Sequence, residues 1–331
     1  MRKRKIMRCA AILALLLIVL SAGCRQKPAE EPHWVREDYL LPAGWEPGAI
    51  QSCAGGTLSV IGKHLADEQV CLFTLAEGGG VLERQDLSAA SRLSPIRWEG
   101  STFSGIRTID GELMFERYDE DGQMLETFSL DALLSGLPRF RVVWMTTAED
   151  GWMTLMSANC DIAAISPDGD VLPIDTEPSV PRFGLFTAPD GETWVWEQID
   201  GRDSIARIDR ETAQLTERVF LPEEDGEARE IGMIGFDAEG RFLWSEMDGV
   251  HALRIGEGER TKILDFEEEG LSVLRFRVAL LKDRRSLVFV RQEYVHPEDA
   301  ERREGESETV YSRRVAGQPK VWHLVVLRRA G

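Results

Sequence analysis

The chain has 331 residues and a formal net charge of −18 at pH 7, from 39 Lys and Arg against 57 Asp and Glu. Its 43% hydrophobic and 29% charged content describes a globular body with material for a large core, and excludes a disordered chain. The acidic balance excludes nucleic acid as a partner, because phosphates need a basic face, and it opposes a body lying flat on anionic lipid.

The N-terminus opens on Arg2-Lys3-Arg4-Lys5 and Arg8, continues as an apolar run from Cys9 to Leu20, and ends on Ser21-Ala22-Gly23-Cys24. A basic start, a short apolar stretch and a small-residue exit are the parts of an export signal. The run falls short of the roughly 20 residues that a spanning helix needs. Leu20-Ser21-Ala22-Gly23-Cys24 resembles the lipobox of bacterial lipoproteins, with the Leu one place earlier than is usual. The resemblance implies cleavage before Cys24 and a diacylglycerol on its sulfur, the alternative being an uncleaved anchor or a plain secretory signal. Residues 1–23 then form the signal peptide and residues 24–33 a polar tether. The body is expected outside the cytoplasm, tied to the membrane by lipid, since each buried CH₂ contributes about 0.8 kcal/mol. Loss of residues 1–23 removes five basic residues and no acidic one, so the mature chain is more acidic still.

From residue 34 onward the sequence repeats. Short apolar runs converge on turn residues and resume after them at Gly78-Gly79-Gly80, Asp121-Gly122, Asp168-Gly169, Arg210-Glu211-Thr212 and Gly256-Glu257-Gly258. Turn centres at 79, 122, 169, 212 and 258 are spaced by 43, 47, 43 and 46 residues. Asp-Gly and Gly-Gly between apolar runs are hairpin signals, because these turns need positive φ. A second series precedes each of these at Gly55-Gly56, Glu99-Gly100, Asp150-Gly151, Asp190-Gly191 and Glu239-Gly240, and ends at Asp283-Arg284-Arg285. Two successive hairpins make a four-stranded meander, and such units arranged radially make a β-propeller. The phrases Ala188-Pro189-Asp190-Gly191-Glu192-Thr193-Trp194 and Asp237-Ala238-Glu239-Gly240-Arg241-Phe242-Leu243-Trp244 resemble blade turns of bacterial extracytoplasmic propellers. Pro189 stands where the sialidase Asp-box has Asp, so no sialidase activity is implied.

The expected fold is all-β, a propeller of six four-stranded blades over 34–331, with seven blades or an incomplete ring as alternatives. The sixth unit has strands near Arg277–Leu281, Leu287–Tyr294 and Val321–Leu327 but no fourth strand before the chain stops. Residues 34–40 resemble the fourth strands of other units, and they are expected to pair beside Val321–Leu327 and close the ring. The rival is a chain that forms part of something longer. A polar insertion at about 295–319, rich in Glu and Arg, reads as a long solvated hairpin or loop in the last blade.

Chemistry is less legible. His33, His64, His251, His296 and His323 show no ligand spacing to one another, so no metal and no cofactor is expected. There is no His-Glu-x-x-His, no Gly-x-Ser-x-Gly and no phosphate loop, and hence no catalytic residue to assign. Asp119-Glu120-Asp121-Gly122 reads as turn chemistry rather than calcium ligation. Cys53, Cys71 and Cys160 remain once Cys9 and Cys24 are accounted for; an odd number leaves at least one unpaired, and free buried thiols are expected over a Cys53–Cys71 disulfide. Trp98, Trp144, Trp152, Trp194, Trp196 and Trp244 lie in or beside strands. They are expected between the blades, with an aromatic platform at the channel mouth as the alternative. Trp194 and Trp196 share one strand face by the period of two.

The expectation is a monomeric, membrane-anchored binding or scaffold module for a protein, peptide or glycan, with more weight against an enzyme than for one. A sensor or accessory propeller of a solute-uptake system, or the first part of a longer solute-binding lipoprotein, is one alternative. An extracytoplasmic hydrolase or lyase is the other.

Overall fold

The computed structural model describes residues 34–52, 56–93, 96–99, 102–137, 140–222, 232–271, 277–294, 301, 303, 305–316 and 320–329. The expected signal peptide (1–23), Cys24 and the expected tether lie outside the described residues, as do Cys53, His33 and His296.

Twenty-four strands form six antiparallel four-stranded sheets. Blade one comprises β2 (Trp45–Ser52), β3 (Thr57–His64), β4 (Val70–Ala76) and β5 (Val81–Asp86); blade two comprises β6 (Arg97–Glu99), β7 (Thr102–Ile109), β8 (Glu112–Asp119) and β9 (Met124–Ser129). Blade three holds β10 (Val142–Thr147), β11 (Met153–Ser157), β12 (Ile162–Ile165) and β13 (Val171–Ile174); blade four holds β14 (Arg182–Thr187), β15 (Thr193–Ile199), β16 (Arg202–Asp209) and β17 (Gln214–Phe220). Blade five is β18 (Gly232–Phe236), β19 (Arg241–Glu246), β20 (Gly249–Arg254) and β21 (Arg260–Asp265). Blade six is β22 (Arg277–Leu280), β23 (Ser286–Tyr294), β24 (Lys320–Arg329) and, as its outer strand, β1 (Trp34–Leu41). The fold is a six-bladed β-propeller.

The β1–β24 register runs from Trp34 opposite Arg329 to Leu41 opposite Trp322. One sheet therefore contains both ends of the described chain, which leaves no open blade at the junction.

Two kinds of hairpin turn recur. Asp110-Gly111 and Asp200-Gly201 both have positive φ at each residue, as two-residue turns of type I′ require. The turns between first and second strands are longer. In Ala148–Trp152 the Ala148 N–H donates to Trp152 O and the Gly151 N–H to Ala148 O, and only Gly151 is left-handed, at φ +84°. Ala188–Glu192 repeats the pattern around Gly191 and Asp237–Arg241 around Gly240. These are the three-residue loops that end in one left-handed residue.

Six clusters of buried side chains hold the ring together, one between each pair of consecutive blades. Alternation along a strand sends neighbours to opposite clusters. Leu287 and Phe289 pack toward blade five, while Val288 packs toward blade one. Ala163 and Ile165 pack toward blade two, Ile162 and Ala164 toward blade four. A strand buried on both faces has no polar side to display, which is why Ile162–Ile165 and Leu287–Val290 read as unbroken apolar runs. Each fully buried side chain of this size contributes about 1.5–3 kcal/mol.

Buried carboxylates in these blades are neutralised locally. Glu197 is held by Arg218 at 2.6 Å and faces Arg182 at 3.7 Å; Glu116 is held by Arg107 at 2.7 Å and by the Tyr118 hydroxyl at 2.6 Å. They are structural pairs, since each faces a cation within its own or the neighbouring strand.

The insertion in blade six differs from the expected hairpin or loop. Among its described residues is a helix, α1 (Glu308–Ala316). The Val310 N–H donates to Ser307 Oγ and the Tyr311 N–H to Ser307 O, so Ser307 caps the helix. Arg314 then reaches back to Glu306 at 2.8 Å. The high charge content that reads as a solvated loop serves here to fasten a single helix to the turn before it. Among the described residues no helix is long and apolar enough to cross a membrane.

Candidate functional site

The first strand of each blade is the innermost, so β2, β6, β10, β14, β18 and β22 together line a central channel of about 1450 Å³. Its wall is mixed in character. Trp144 and Phe186 supply apolar surface, Arg97, Lys282 and Arg284 supply positive charge, and Glu46 and Glu149 supply negative charge. The Arg97 guanidinium lies over the Trp144 ring, 5.5 Å from its centroid, joining blades two and three across the wall. Thr146 and Thr187 share a hydroxyl hydrogen bond of 2.8 Å between blades three and four.

Among the described residues, the Thr147 hydroxyl and the Trp322 indole N–H belong to residues of this wall, are buried and have no hydrogen-bond partner. Trp322 is only 8% exposed.

Arg284 stands at the turn after β22. Its Nη1 donates to Thr187 O at 2.8 Å and to Phe236 O at 3.3 Å, the ends of the inner strands of blades four and five. Burial holds this guanidinium below the usual arginine value, and Glu149, Asp190 and Asp237 pull it the other way.

A second cluster lies at the connection between β19 and β20. Ligating atoms of Glu246, Asp248 and His251 lie within 4.8 Å of one another. Their lone pairs are already taken. Glu246 accepts from Trp244 Nε1 at 2.7 Å and from Arg260 at 3.1 Å; Asp248 meets His251 Nε2 at 2.9 Å and Lys262 at 2.6 Å. Arg260 Nε donates to His251 Nδ1 at 3.0 Å. Arg260 and Lys262 pair with these same carboxylates, so the described side chains form an ion-pair network. Burial pushes the Asp248 carboxyl up, and the bonds to Lys262 and His251 outweigh it, leaving it at about 2. Burial also pushes the His251 imidazole below its ordinary value, against the pull of Asp248.

The other residues singled out in the sequence scatter. His64 meets Asp67 at 2.7 Å, and His323 faces Asp38 at 3.3 Å. Cys71 is buried and free, whereas Cys160 is free but half-buried, with the Arg182 N–H 3.4 Å from its Sγ. The Asp119–Gly122 stretch is a turn, in which Asp119 Oδ1 accepts the Gln123 N–H at 2.7 Å. Trp194 and Trp244 are buried between blades four and five, and Trp196 packs against the same cluster. Trp152 packs between blades three and four. Trp98 lies on β6. Of the six tryptophans, Trp144 lines the channel, joined there by Trp322, which the sequence did not single out. Thr147 and Arg284 also escaped sequence reading. A threonine in a strand and an arginine in a turn are ordinary, but Arg284 replaces the glycine of the other first turns, and that was a visible signal.

No protein-family model matches the chain, and no curated protein matches it. Among solved structures it is similar to the PQQ-bound aldose sugar dehydrogenase of Streptomyces coelicolor, with 12% identity over 89% of this chain and 99% of that one and a TM-score of 0.43. It is similar to the extracellular domain of a putative one-component system from B. thetaiotaomicron, at 11% identity, 78% of this chain, 39% of that chain and a TM-score of 0.47. A luciferin-regenerating enzyme matches at 12% identity over 88% of this chain and 95% of that one, with a TM-score of 0.45. At these values the likeness is one of architecture and says nothing of ligand or reaction.

Proposed function

We propose that this chain is an extracytoplasmic binding module, anchored to the membrane by lipid on Cys24, that takes its ligand in the central channel. The observation that carries the reading is the channel of about 1450 Å³ itself, whose wall sets Trp144 and Phe186 beside the cations Arg97, Lys282 and Arg284. Pockets that combine apolar walls with a few convergent polar groups are where proteins take small ligands or chain ends. The anchor rests on the Leu20–Cys24 sequence. An acidic body on a lipid tether is kept off an anionic bilayer by its own charge, which leaves both rims of the ring open to solution.

Native mass spectrometry of the full chain, isolated in detergent from its own membrane fraction, tests this. A bound molecule is expected on the wild type and is expected to be lost from or weakened in Thr147→Trp, whose indole adds bulk to the channel wall. The milder Thr147→Val controls for folding. A molecule retained equally by all three would place binding elsewhere and defeat the reading.

A further inference from the structure

Arg284 departs from the rule that its own turn follows elsewhere. The first turns of blades three, four and five place Gly151, Gly191 and Gly240 in the left-handed region, at φ +84°, +88° and +74°. In blade six the turn is one residue longer, closed by the Leu281 N–H on Ser286 O, and Arg284 takes φ +54° there, its N–H donating to Leu281 O as the Gly151 N–H does to Ala148 O. A β-carbon there meets steric strain that glycine avoids. Strain that a fold retains, where glycine would remove it, points to a task for the side chain.

The turn delivers the guanidinium to the channel wall. Both hydrogen bonds it makes to described residues come from Nη1 and end on main-chain carbonyls of two different blades, which fixes the plane of the group. Nε and Nη2 have no hydrogen bond among the described residues, and the side chain forms no ion pair with them. The acids whose field reaches it are committed or open to solvent. Asp237 is bound by Arg241 at 2.6 Å, Asp190 accepts the N–H of Glu192 in its own turn, and Glu149 is exposed.

Nε and Nη2 are the side-on fork of a guanidinium, and their spacing matches the two oxygens of a carboxylate. Resting on the reading of the channel as the binding site, we propose that the ligand is a small monocarboxylate, its acid group held by Nε and Nη2 of Arg284 and its apolar body lying along Trp144 and Phe186. Charge favours this over a phosphate. A carboxylate brings less negative charge than a phosphate, of charge near −2, into the field of Glu149 and Asp190.

Titration calorimetry of the full chain in detergent tests the assignment, with 3-phenylpropionate and octanoate as acids and 3-phenylpropionamide as the neutral counterpart. The wild type is expected to bind at least one acid saturably, and the amide about tenfold more weakly or worse. Arg284→Gly, which restores the residue of the sister turns, is expected to melt within about 3 °C of the wild type while losing the acid by about tenfold or more. Arg284→Lys keeps the charge without the fork and is expected to fall between them. Acid and amide bound alike, acid bound alike by wild type and Arg284→Gly, or no saturable binding of either acid would each overturn the assignment. So would an Arg284→Gly chain that melts far lower yet binds acid normally, which would make Arg284 a pin between blades. In each of those cases the channel reading stands if Thr147→Trp still loses the molecule retained from membranes, and falls if it does not.

Discussion

Glu37 accepts a hydrogen bond from Arg328 Nε at 2.9 Å, joining residues 291 positions apart. The same carboxylate accepts the Tyr39 hydroxyl at 2.6 Å. Together these clamp β1 onto β24, and Tyr39 and Leu41, both fully buried, carry the joint into the core between blades six and one. Burial pushes the Glu37 carboxyl up, and the bonds from Arg328 and Tyr39 outweigh it and hold it below the usual carboxylate range.

Glu37→Gln keeps the shape and removes the charge, so it is expected to cost about 1–2 kcal/mol in urea denaturation. Deleting residues 34–41 removes a whole strand and its two core side chains, and is expected to abolish cooperative unfolding. A deletion that unfolds at the wild-type midpoint would show that the ring holds without β1.

The His251 network makes stability depend on pH in a definite direction. The ring nitrogens fit a neutral imidazole, with Nε2 donating to Asp248 and Nδ1 accepting from Arg260. Because burial sets the folded value below the ordinary one near 6.5, the unfolded chain binds the proton more tightly. This contribution is therefore complete above about pH 6.5 and is lost as pH falls through the folded value. Denaturant midpoints at pH 7.5 and 5.5 are expected to drop for the wild type and to drop less for His251→Gln; equal drops would remove His251 from the account.

Gly249 opens β20, where a β-carbon would lie 2.0 Å from Leu264 O, a main-chain atom of the partner strand β21. Neither strand can give way without breaking the ladder. Gly249→Ala is expected to cost more than about 3 kcal/mol, as overpacking against backbone does, and thermal melting reads this directly. A change of under about 1 kcal/mol would mean that the β20–β21 edge is looser than its register indicates.

Much of this architecture was legible because propeller blades punctuate themselves. Asp150-Gly151, Asp190-Gly191 and Glu239-Gly240 all mark real first turns, and Ile162–Ile165 is a strand with the bounds its apolar run implies. The helix at Glu308–Ala316 was hidden because charged residues speak equally for a loop and for an exposed helix, and the deciding feature is the Ser307 cap. The channel wall was hidden for a different reason. Thr147, Arg284 and Trp322 lie in three separate segments, and only ring closure makes them neighbours of one cavity. Period-two alternation places a side chain on a blade face, but it does not say which strand is innermost.

The anchor is tested at the N-terminus. Mass spectrometry of the N-terminal peptide from the membrane fraction is expected to show a diacylated Cys24, and Cys24→Ala is expected to lose both the lipid and the chain's retention in that fraction. An unmodified N-terminus on a membrane-associated wild type would contradict lipid anchoring.

Hydrogen–deuterium exchange of the full chain, with its retained molecule and after that molecule is removed, tests the central claim most directly. The account predicts ligand-dependent protection in the inner strands β10, β14, β18 and β22 and in the turn that carries Arg284, with the outer strands unchanged. Protection confined to α1 and the connections between second and third strands would contradict it, because binding would then belong to the opposite rim and not to the channel.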